Sequence, residues 1–570
     1  MSSSALPLLA SRGSEGVKLI HSENGFLQQS DLFCDEEAKG KIMKFSEDGG
    51  LFGFCNGQKL KVLDMSDGGT AFETPKQKTL YIKFSPKNTY LACWELFYTS
   101  PQLPEGFDNF EIFNIKTKAV VKKLKHKKQS AWEPRWSKDE KICGRCVSNE
   151  IQFHQDGDFS TVAHKLHIQG IENFTISPAQ HAPYIVAVYI PGKKGAPSCV
   201  RMFQYPNFGN GQAITNKSFF KSDKVDMFWN NKGTGMLVLV SAEVDTTGKT
   251  YYGEQSLHFM TSKGESSLVP LDKKGPIYSV EWHPDSSHFC VVYGYMPAKA
   301  ALFNMKAEPI FDFGTGARST CSYNAHGNIL CLAGFGNLPG EMEMWNVEAR
   351  KLVCKPKASD TTFFQWCPDG QHLVTATCAP RLRVNNGYKI WHYTGKVVAT
   401  FNVKPNGELF EAFWQNQPKE NYPAPKVSTT AYVEVKQQAY RPPSARGQPV
   451  KKLAIHEHEK PSNQRVDQQQ NMSANALKNK KKREAKARAK QETAEPGPVP
   501  PSSTNQSAGS AAPSGDLETD KKIKGLKKKL RQIEDLKTKQ KDGKTLEKNQ
   551  LDKIASEKEI LDQLSQLQVS

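Results

Sequence analysis

The chain of 570 residues is 38% hydrophobic and 10% aromatic, so it can bury a large core, although its hydrophobic share lies below the usual globular value. Its formal net charge is +18, and residues 436–570 alone hold 29 basic and 17 acidic residues, two thirds of the excess. This basic end favours a polyanionic partner, most often nucleic acid, because neutralising phosphates releases counterions.

The cysteines and the apolar runs exclude two further classes. All twelve cysteines fall at or before Cys378 without framework spacing, which excludes a disulfide scaffold and predicts free thiols in a reducing compartment, the cytosol or the nucleus. Apolar runs such as residues 236–240 are far too short to span a bilayer, so we expect no membrane partner.

Residues 1–435 repeat one pattern, in which a short β-type run ends in a large apolar residue and is followed by a small polar residue and a turn. The nine positions lie about 46 residues apart, close to the ~40–45 residues of a four-stranded propeller blade. They are Phe45, Phe84, Trp136, Ile176, Trp229, Trp282, Tyr323, Trp366 and Trp414. A second aromatic-ended strand lies between most of them, so we predict an all-β fold, a nine-bladed WD-type β-propeller with divergent repeats.

Two details of this propeller are expected. The N-terminal strands around residues 7–11 and 17–21 should complete the ninth blade and so leave no open edge. The repeated tryptophans should be packing residues of the core and not platforms for nucleic-acid bases, since periodic aromatic residues in strands pack first.

Residues 436–515 are predicted to be a disordered linker, because apolar periodicity stops and Pro, Gln, Ser and Asn dominate. Within it, the segment 474–490 carries eight basic residues among strong helix formers, and we expect it to become helical when an anion neutralises it. Its candidate RNA-binding residues are Lys478, Lys480, Lys481, Lys482, Arg483, Lys486, Arg488 and Lys490. A solvated charge run or a nuclear-import signal is the alternative interpretation.

Residues 516–570 show helical spacing on both sides of a turn at 541–544, which predicts a basic helical hairpin. Its apolar stripes are Ile523, Leu526, Leu530 and Ile533, then Leu551, Ile554, Leu561 and Leu564. The candidate RNA-binding residues of the first helix are Lys521, Lys522, Lys524, Lys527, Lys528, Lys529 and Arg531. A coiled coil is the alternative, but about two heptads per arm are too few, and we expect a monomer.

No motif for catalysis or for a cofactor stands out. The glycines of 334–340 lack dinucleotide-loop spacing, and no G-x-x-x-x-G-K-[ST] sequence occurs. Cys143 and Cys146 have C-x-x-C spacing without a second ligand pair, so they are expected to be strand residues and not a zinc site. We therefore expect a binding protein and not an enzyme, with no cofactor and no metal.

The stretches 85–98, 251–259, 335–347 and above all 378–395, together with the basic segments of the tail, closely resemble the eukaryotic translation initiation factor 2A family. The resemblance implies a cytoplasmic, non-enzymatic translation factor. Such a factor binds the small (40S) ribosomal subunit and delivers initiator methionyl-tRNA in a codon-dependent, GTP-independent manner. Its further partners would be mRNA and other initiation factors. The B subunit of initiation factor 3 is a related propeller, but it would carry an RNA-recognition domain before the blades.

Arg381, Arg383, Asn385 and Asn386 are predicted to form a polar loop between two strands of the eighth blade. Two roles stay open for it: the arginines contact RNA, or the loop satisfies its own buried turn carbonyls. The alternative for the whole chain is a scaffold that binds only proteins and whose basic tail serves nuclear import or solubility. A hydrolase is a formal third class, without a supporting motif.

Overall fold

The computed structural model describes residues 6–23, 26–35, 40–130, 132–193, 196–209, 212–220, 222–242 and 253–427, and six residues near the C-terminus. The chain divides into two units, Met1–Tyr440 and Arg441–Ser570. In the described part of the first unit, 36 strands form nine four-stranded antiparallel sheets, which confirms the predicted all-β, nine-bladed propeller.

The blades are numbered in chain order, and the first four contain sixteen consecutive strands. Blade 1 contains β4 (Ile42–Phe45), β5 (Leu51–Cys55), β6 (Leu60–Asp64) and β7 (Thr70–Thr74). Blade 2 contains β8 (Thr79–Phe84), β9 (Tyr90–Glu95), β10 (Phe110–Asn114) and β11 (Val120–Leu124). Blade 3 contains β12 (Arg135–Trp136), β13 (Ile142–Val147), β14 (Glu150–Gln155) and β15 (His164–His167). Blade 4 contains β16 (Asn173–Ile176), β17 (Ile185–Ile190), β18 (Ser198–Gln204) and β19 (Thr215–Phe219).

Blades 5 to 8 continue the same order, and blade 9 joins the last strand of the propeller to the three N-terminal strands. Blade 5 contains β20 (Lys224–Trp229), β21 (Gly235–Ser241), β22 (Gln255–Thr261) and β23 (Ser266–Leu268). Blade 6 contains β24 (Ile277–Trp282), β25 (His288–Tyr293), β26 (Ala298–Asn304) and β27 (Pro309–Gly316). Blade 7 contains β28 (Thr320–Tyr323), β29 (Ile329–Ala333), β30 (Met342–Asn346) and β31 (Lys351–Cys354). Blade 8 contains β32 (Phe363–Trp366), β33 (His372–Thr377), β34 (Gly387–His392) and β35 (Val397–Asn402). Blade 9 contains β36 (Leu409–Trp414), β1 (Leu9–Gly13), β2 (Gly16–Glu23) and β3 (Phe26–Asp35).

The first strand of each blade is the inner one, since first strands of neighbouring blades contact one another, as β24 contacts β28 and β4 contacts β8. Each predicted large apolar residue ends one of these first strands, as Trp366 ends β32. Trp136, Trp366 and Trp414 are buried. The indole of Trp366 also donates to the Ser322 carbonyl of the preceding blade, at 3.2 Å. Trp229 and Trp282 are partly buried and pack against the hydrophobic core. The five tryptophans are therefore packing residues, as expected, although two of them are not fully enclosed.

The ring closes as the sequence predicted. β36 pairs antiparallel with β1, so that Leu9 lies opposite Trp414 and Ala10 opposite Phe413. The side chains of Leu9 and Trp414 are both fully buried. The three N-terminal strands thus complete a sheet whose inner strand comes from residue 409 onward, and this leaves no unpaired edge between the first and last blades.

In six of the nine blades a serine or an asparagine follows the first strand and closes the next turn, whereas His283, Cys367 and Gln415 take this position in blades 6, 8 and 9. The Ser85 hydroxyl accepts the Tyr90 N–H at 2.8 Å, and the Asn324 side chain accepts the Ile329 N–H at 3.1 Å. Asn324 also donates to the carbonyl of Gly370 in the next blade, at 2.8 Å. These residues satisfy backbone groups that have no partner in the strand ladder.

The strands define two faces of the ring. The loop face carries the connections between second and third strands and the connections from blade to blade, and the turn face carries the other turns. After β36, residues 415–427 run along the turn face as a strap that includes a 3-10 turn at Lys419–Asn421. Asn328 of blade 7 donates to the Pro425 carbonyl at 2.8 Å, and Tyr393 of blade 8 donates to the Lys426 carbonyl at 3.2 Å.

Of the second unit, the structure describes Ile533, Lys537, Ile554, Ala555, Glu557 and Leu561, all with helical backbone. Ile533 is buried, Lys537 forms an ion pair with Glu557, and Leu561 of the predicted apolar stripe is 50% exposed. The hairpin stays a prediction, and the linker with its segment 474–490 lies outside the described residues. Among the helical residues that are described, none belongs to a helix long and apolar enough to cross a membrane.

Candidate nucleic-acid interface

The predicted site residues fall into two groups. Arg381 and Arg383 lie in the connection between β33 and β34, on the loop face of blade 8. The fifteen basic residues of the tail lie outside the described residues: Lys478, Lys480, Lys481, Lys482, Arg483, Lys486, Arg488, Lys490, Lys521, Lys522, Lys524, Lys527, Lys528, Lys529 and Arg531. Among the predicted site residues, the structure therefore gives contacts and distances only for the two arginines of blade 8.

Asn386 holds the loop of blade 8 in shape. Its side chain is buried and donates to the Leu382 carbonyl at 2.7 Å, and it accepts the Leu409 N–H at 3.2 Å. The preceding residue, Asn385, adopts a φ of 55°, a left-handed conformation that asparagine tolerates better than most residues. Asn386 thus satisfies the Leu382 carbonyl of the turn, so the loop fulfils one of the two roles that the sequence left open. The arginines take no part in this hydrogen bond and lie on the surface.

Both arginines are exposed. Arg383 has 68% of its side chain accessible and lies 3.1 Å from the carboxylate of Glu408. Arg381 reaches toward blade 7, where its guanidinium lies against Gly336 in the loop that follows β29. An exposed ion pair such as that of Arg383 contributes little to stability and is readily exchanged for another anion.

Arg383 lines a groove of about 610 Å³ on the loop face. Three segments form its walls: the entry to blade 8 near 357–360, the loop and strand start at 377–389, and the connection to β36 at 402–407. Topology brings these segments together, because Phe363 pairs with Ala376 and Gly387 with Asn402, so all three lie at the same end of the blade.

The groove is predominantly positive. Lys357, Arg383, Lys389 and Lys404 line it, together with one acidic residue, Asp360, and the amides of Asn385, Asn402 and Asn406. Lysines, arginines and amides are the donors that contact phosphate oxygens in nucleic-acid complexes.

Not all four cations are equally free. Lys404 lies 3.4 Å from Glu15, whose pKa is lowered mainly by its hydrogen bond with Lys18 and further by Lys404. Lys357 and Lys389 are exposed, and neither forms an ion pair with another residue in the part of the chain that the structure describes. These two lysines are the cations most available to a phosphate.

The sequence identified Arg383 but missed Lys357, Lys389 and Lys404. The four residues span 48 positions in three separate segments, and only the pairing of β32 to β35 brings them to one groove. No local motif could have joined them.

Two side-chain clusters that resemble metal sites have structural explanations. His283, Asp285 and His288 offer ligand atoms within 4.8 Å of one another, but the His283 Nε2 already contacts the Gly327 carbonyl at 2.9 Å and so joins blades 6 and 7. Cys143 lies on β13 as predicted, and burial raises the pKa of its thiol, which favours the protonated form over the thiolate that a metal needs.

Family models match two regions of the chain. Residues 217–412 match the model described as eukaryotic translation initiation factor eIF2A. Residues 521–567 match the model described as the eukaryotic translation initiation factor 2A C-terminal domain. The first region contains the loop of Arg381 and Arg383 and the groove of blade 8, and the second lies within the predicted hairpin of residues 516–570.

Relatives cover most of the chain. Eukaryotic translation initiation factor 2A of Drosophila melanogaster is 38% identical over 461 residues, which are 77% of this chain and 72% of that protein. The Schizosaccharomyces pombe protein of the same name is 32% identical over 558 residues, 92% of each chain. A solved structure titled "Crystal structure of the eukaryotic initiation factor" is 32% identical and superposes with a TM-score of 0.66, covering 72% of this chain and 99% of that one. The chain therefore belongs to the eukaryotic translation initiation factor 2A family.

Proposed function

We propose that this translation initiation factor binds the small ribosomal subunit and brings initiator methionyl-tRNA to it, in a codon-dependent and GTP-independent manner. The observation that carries the proposal is the family membership together with the concentration of positive charge in residues 436–570. A surplus of lysine and arginine of this size favours RNA over a neutral protein surface, because each neutralised phosphate releases counterions.

Two basic regions support a bivalent interaction with RNA. The tail carries a net charge of +12 over its last 135 residues, and the groove of blade 8 offers Lys357, Arg383, Lys389 and Lys404. Two weak contacts within one chain raise the overall affinity, because the second contact forms at a high effective concentration. The propeller would supply one contact and the tail the other.

GTP independence is supported by the sequence itself. No G-x-x-x-x-G-K-[ST] phosphate-binding motif occurs in the 570 residues. Delivery of the tRNA would therefore depend on the free energy of binding and not on GTP hydrolysis. We also propose mRNA and other initiation factors as partners.

Cosedimentation with purified small subunits at low salt tests the proposal. We expect the full chain to cosediment and a version that ends at Val435 to bind more weakly, since it lacks the tail. If both versions stay in the supernatant, the chain is not a ribosome-binding factor, and a scaffold that binds only proteins becomes the better interpretation. Crosslinking of bound initiator tRNA, mapped to residues before or after 435, then assigns the tRNA contact.

A charge variant of the tail separates RNA contact from solubility. Replacing Lys480, Lys481, Lys482 and Arg483 by alanine should lower RNA affinity and flatten its salt dependence by about 0.7 per lost phosphate contact. An unchanged slope would remove this segment from the interface.

A further inference from the structure

Blade 2 carries a second surface, apart from the groove of blade 8. The connection between β9 and β10, residues 96–108 and called here the aromatic loop, presents Leu96, Tyr98 and Leu103 with 61%, 44% and 45% of their surface exposed. Three exposed apolar side chains in one loop make it a candidate binding surface, since contiguous exposed apolar patches mark interaction sites.

The aromatic loop has a defined shape. The rings of Phe97 and Phe107 lie nearly parallel with their centroids 6.3 Å apart, and Tyr98 packs on Phe107 at 4.9 Å. Gly106 has a φ of 68°, and an added Cβ would clash with the Phe97 ring at 2.2 Å, so the loop needs glycine there.

Asn109 fixes the base of the loop. Its buried amide donates to the Glu95 carbonyl at 2.7 Å and to the His126 carbonyl at 2.9 Å, and its oxygen accepts the His126 N–H at 2.7 Å. The loop is thereby tied to the connection that follows β11. A ligand would meet a surface that is already ordered, which lowers the entropic cost of binding.

Lysines surround the exposed rings. The ammonium of Lys78 lies 5.0 Å from the Tyr98 ring centroid, and that of Lys127 lies 5.3 Å from the Phe97 ring centroid. Lys125 and Lys128 are exposed on the same connection, and Lys125 lies 3.7 Å from Glu105, itself 90% exposed. The surface therefore places positive charges beside flat apolar groups.

We propose that the aromatic loop and the lysines beside it bind single-stranded RNA, with a base stacked on Tyr98 in place of the Lys78 ammonium and with the backbone phosphates on Lys78, Lys127 and Lys128. The inference rests on the proposed RNA-binding function and assigns it a further site. Single-stranded RNA alternates planar bases with phosphates, which matches this alternation of rings and ammonium groups. Duplex RNA keeps its bases stacked inside the helix and cannot offer them to Tyr98. A neutral apolar peptide would leave the lysines without partners.

The full chain is tested with labelled oligouridine of about 12 nucleotides and an RNA duplex of about the same length, at about 0.3 M salt to weaken the phosphate contacts of the tail. We expect Tyr98→Ala to weaken oligouridine binding about five- to ten-fold, since base stacking on an aromatic ring is lost, and to leave duplex binding unchanged. Tyr98→Phe keeps the ring and should bind as the unmodified chain does.

Phe220→Ala is the matched control, because Phe220 is 78% exposed on the loop face between blades 4 and 5, away from the aromatic loop. It should leave oligouridine binding unchanged. Ultraviolet crosslinking of the bound oligouridine should place adducts within residues 96–108.

Equal effects of Tyr98→Ala on oligouridine and duplex, or no effect on either, would overturn the inference. If an acidic, leucine-containing peptide bound to the aromatic loop and oligouridine did not, the inference would also be overturned, in favour of a protein partner. If the unmodified chain failed to cosediment with small subunits, the proposed function would be wrong instead. The two failures can therefore be told apart.

Discussion

The groove of blade 8 leads to a quantitative prediction for Lys357 and Lys389, the two exposed lysines without ion-pair partners in the described structure. We expect the double variant K357A/K389A to lose two phosphate contacts. Each contact contributes about 0.7 to the slope of log affinity against log salt for single strands and about 0.9 for duplexes. The slope should therefore fall by about 1.4 to 1.8.

The same arithmetic gives the loss of affinity. If the variant and the unmodified chain bind equally at 1 M salt, a difference of 1.4 in slope corresponds to about 25-fold weaker binding at 0.1 M and about five-fold at 0.3 M. Fluorescence anisotropy with labelled tRNA over this range of salt measures both quantities. Truncation of exposed lysines should not change the fold, which an unchanged melting temperature would verify.

The matched control is K306A/K396A, which removes the same charge from turns on the turn face of blades 6 and 8. Its slope should equal that of the unmodified chain. If both double variants lower the slope equally, the effect comes from net charge and not from the groove. If neither changes it, RNA does not occupy the groove.

Three further predictions concern stability. Arg318 and Glu343 form a buried ion pair at 2.6 Å. In urea unfolding, Arg318→Met should lower the free energy of unfolding by about 3–5 kcal/mol, and the double variant R318M/E343L should lower it less, because neither charge of the pair is left without its partner. A double variant as unstable as the sum of both single changes would contradict this. Burial raises the pKa of Glu281 to about 7, although the hydrogen bonds that its carboxylate accepts from the Tyr323 N–H and from Ser322 oppose the rise. Because a raised carboxyl pKa makes stability fall as pH rises from about 4.5 to about 7, Glu281→Gln should stabilise the protein by about 1–2 kcal/mol at pH 8 and should have no such effect at pH 4. The expected gain is smaller than the full pKa shift implies, since Glu281 is partly exposed. Trp414→Ala should cost about 3–5 kcal/mol in the same assay, since it empties a fully buried site at the ring closure; a cost under about 1 kcal/mol would mean that the closing strand contributes little.

The architecture of the propeller could be predicted because its determinants are local and repeated. Each blade places a large apolar residue at the end of its inner strand, and in six of the nine a serine or an asparagine follows it. Both residues act within a short stretch of chain, as Ser85 does for Tyr90. The closure by the N-terminal strands could be predicted because too few β-type segments follow the ninth inner strand to complete its sheet, so its partners must come from the N-terminal strands.

The site could be predicted only in part, because it depends on contacts between segments that are distant in the chain. The loop with Arg381 and Arg383 was visible as a polar sequence, but the role of Asn386 depends on hydrogen bonds to Leu382 and Leu409 across the blade. Lys357 joins the site only through strand pairing. The aromatic loop was not identified either, since Leu96 and Tyr98 are apolar residues whose exposure no sequence pattern indicates.

The pairing of β1 with β36 also affects how the protein folds while it is synthesised on the ribosome. About 400 residues separate Leu9 from Trp414, so at about 5–20 residues per second a growing polypeptide waits about 20–80 s before the partner strand leaves the ribosome. During that interval β1 to β3 can pack against blade 1, through the hydrophobic cluster that includes Leu8, Leu19, Phe45 and Phe52. One backbone edge of β1 stays open meanwhile. Nascent chains that stall before residue 409 would therefore expose a strand edge prone to intermolecular pairing.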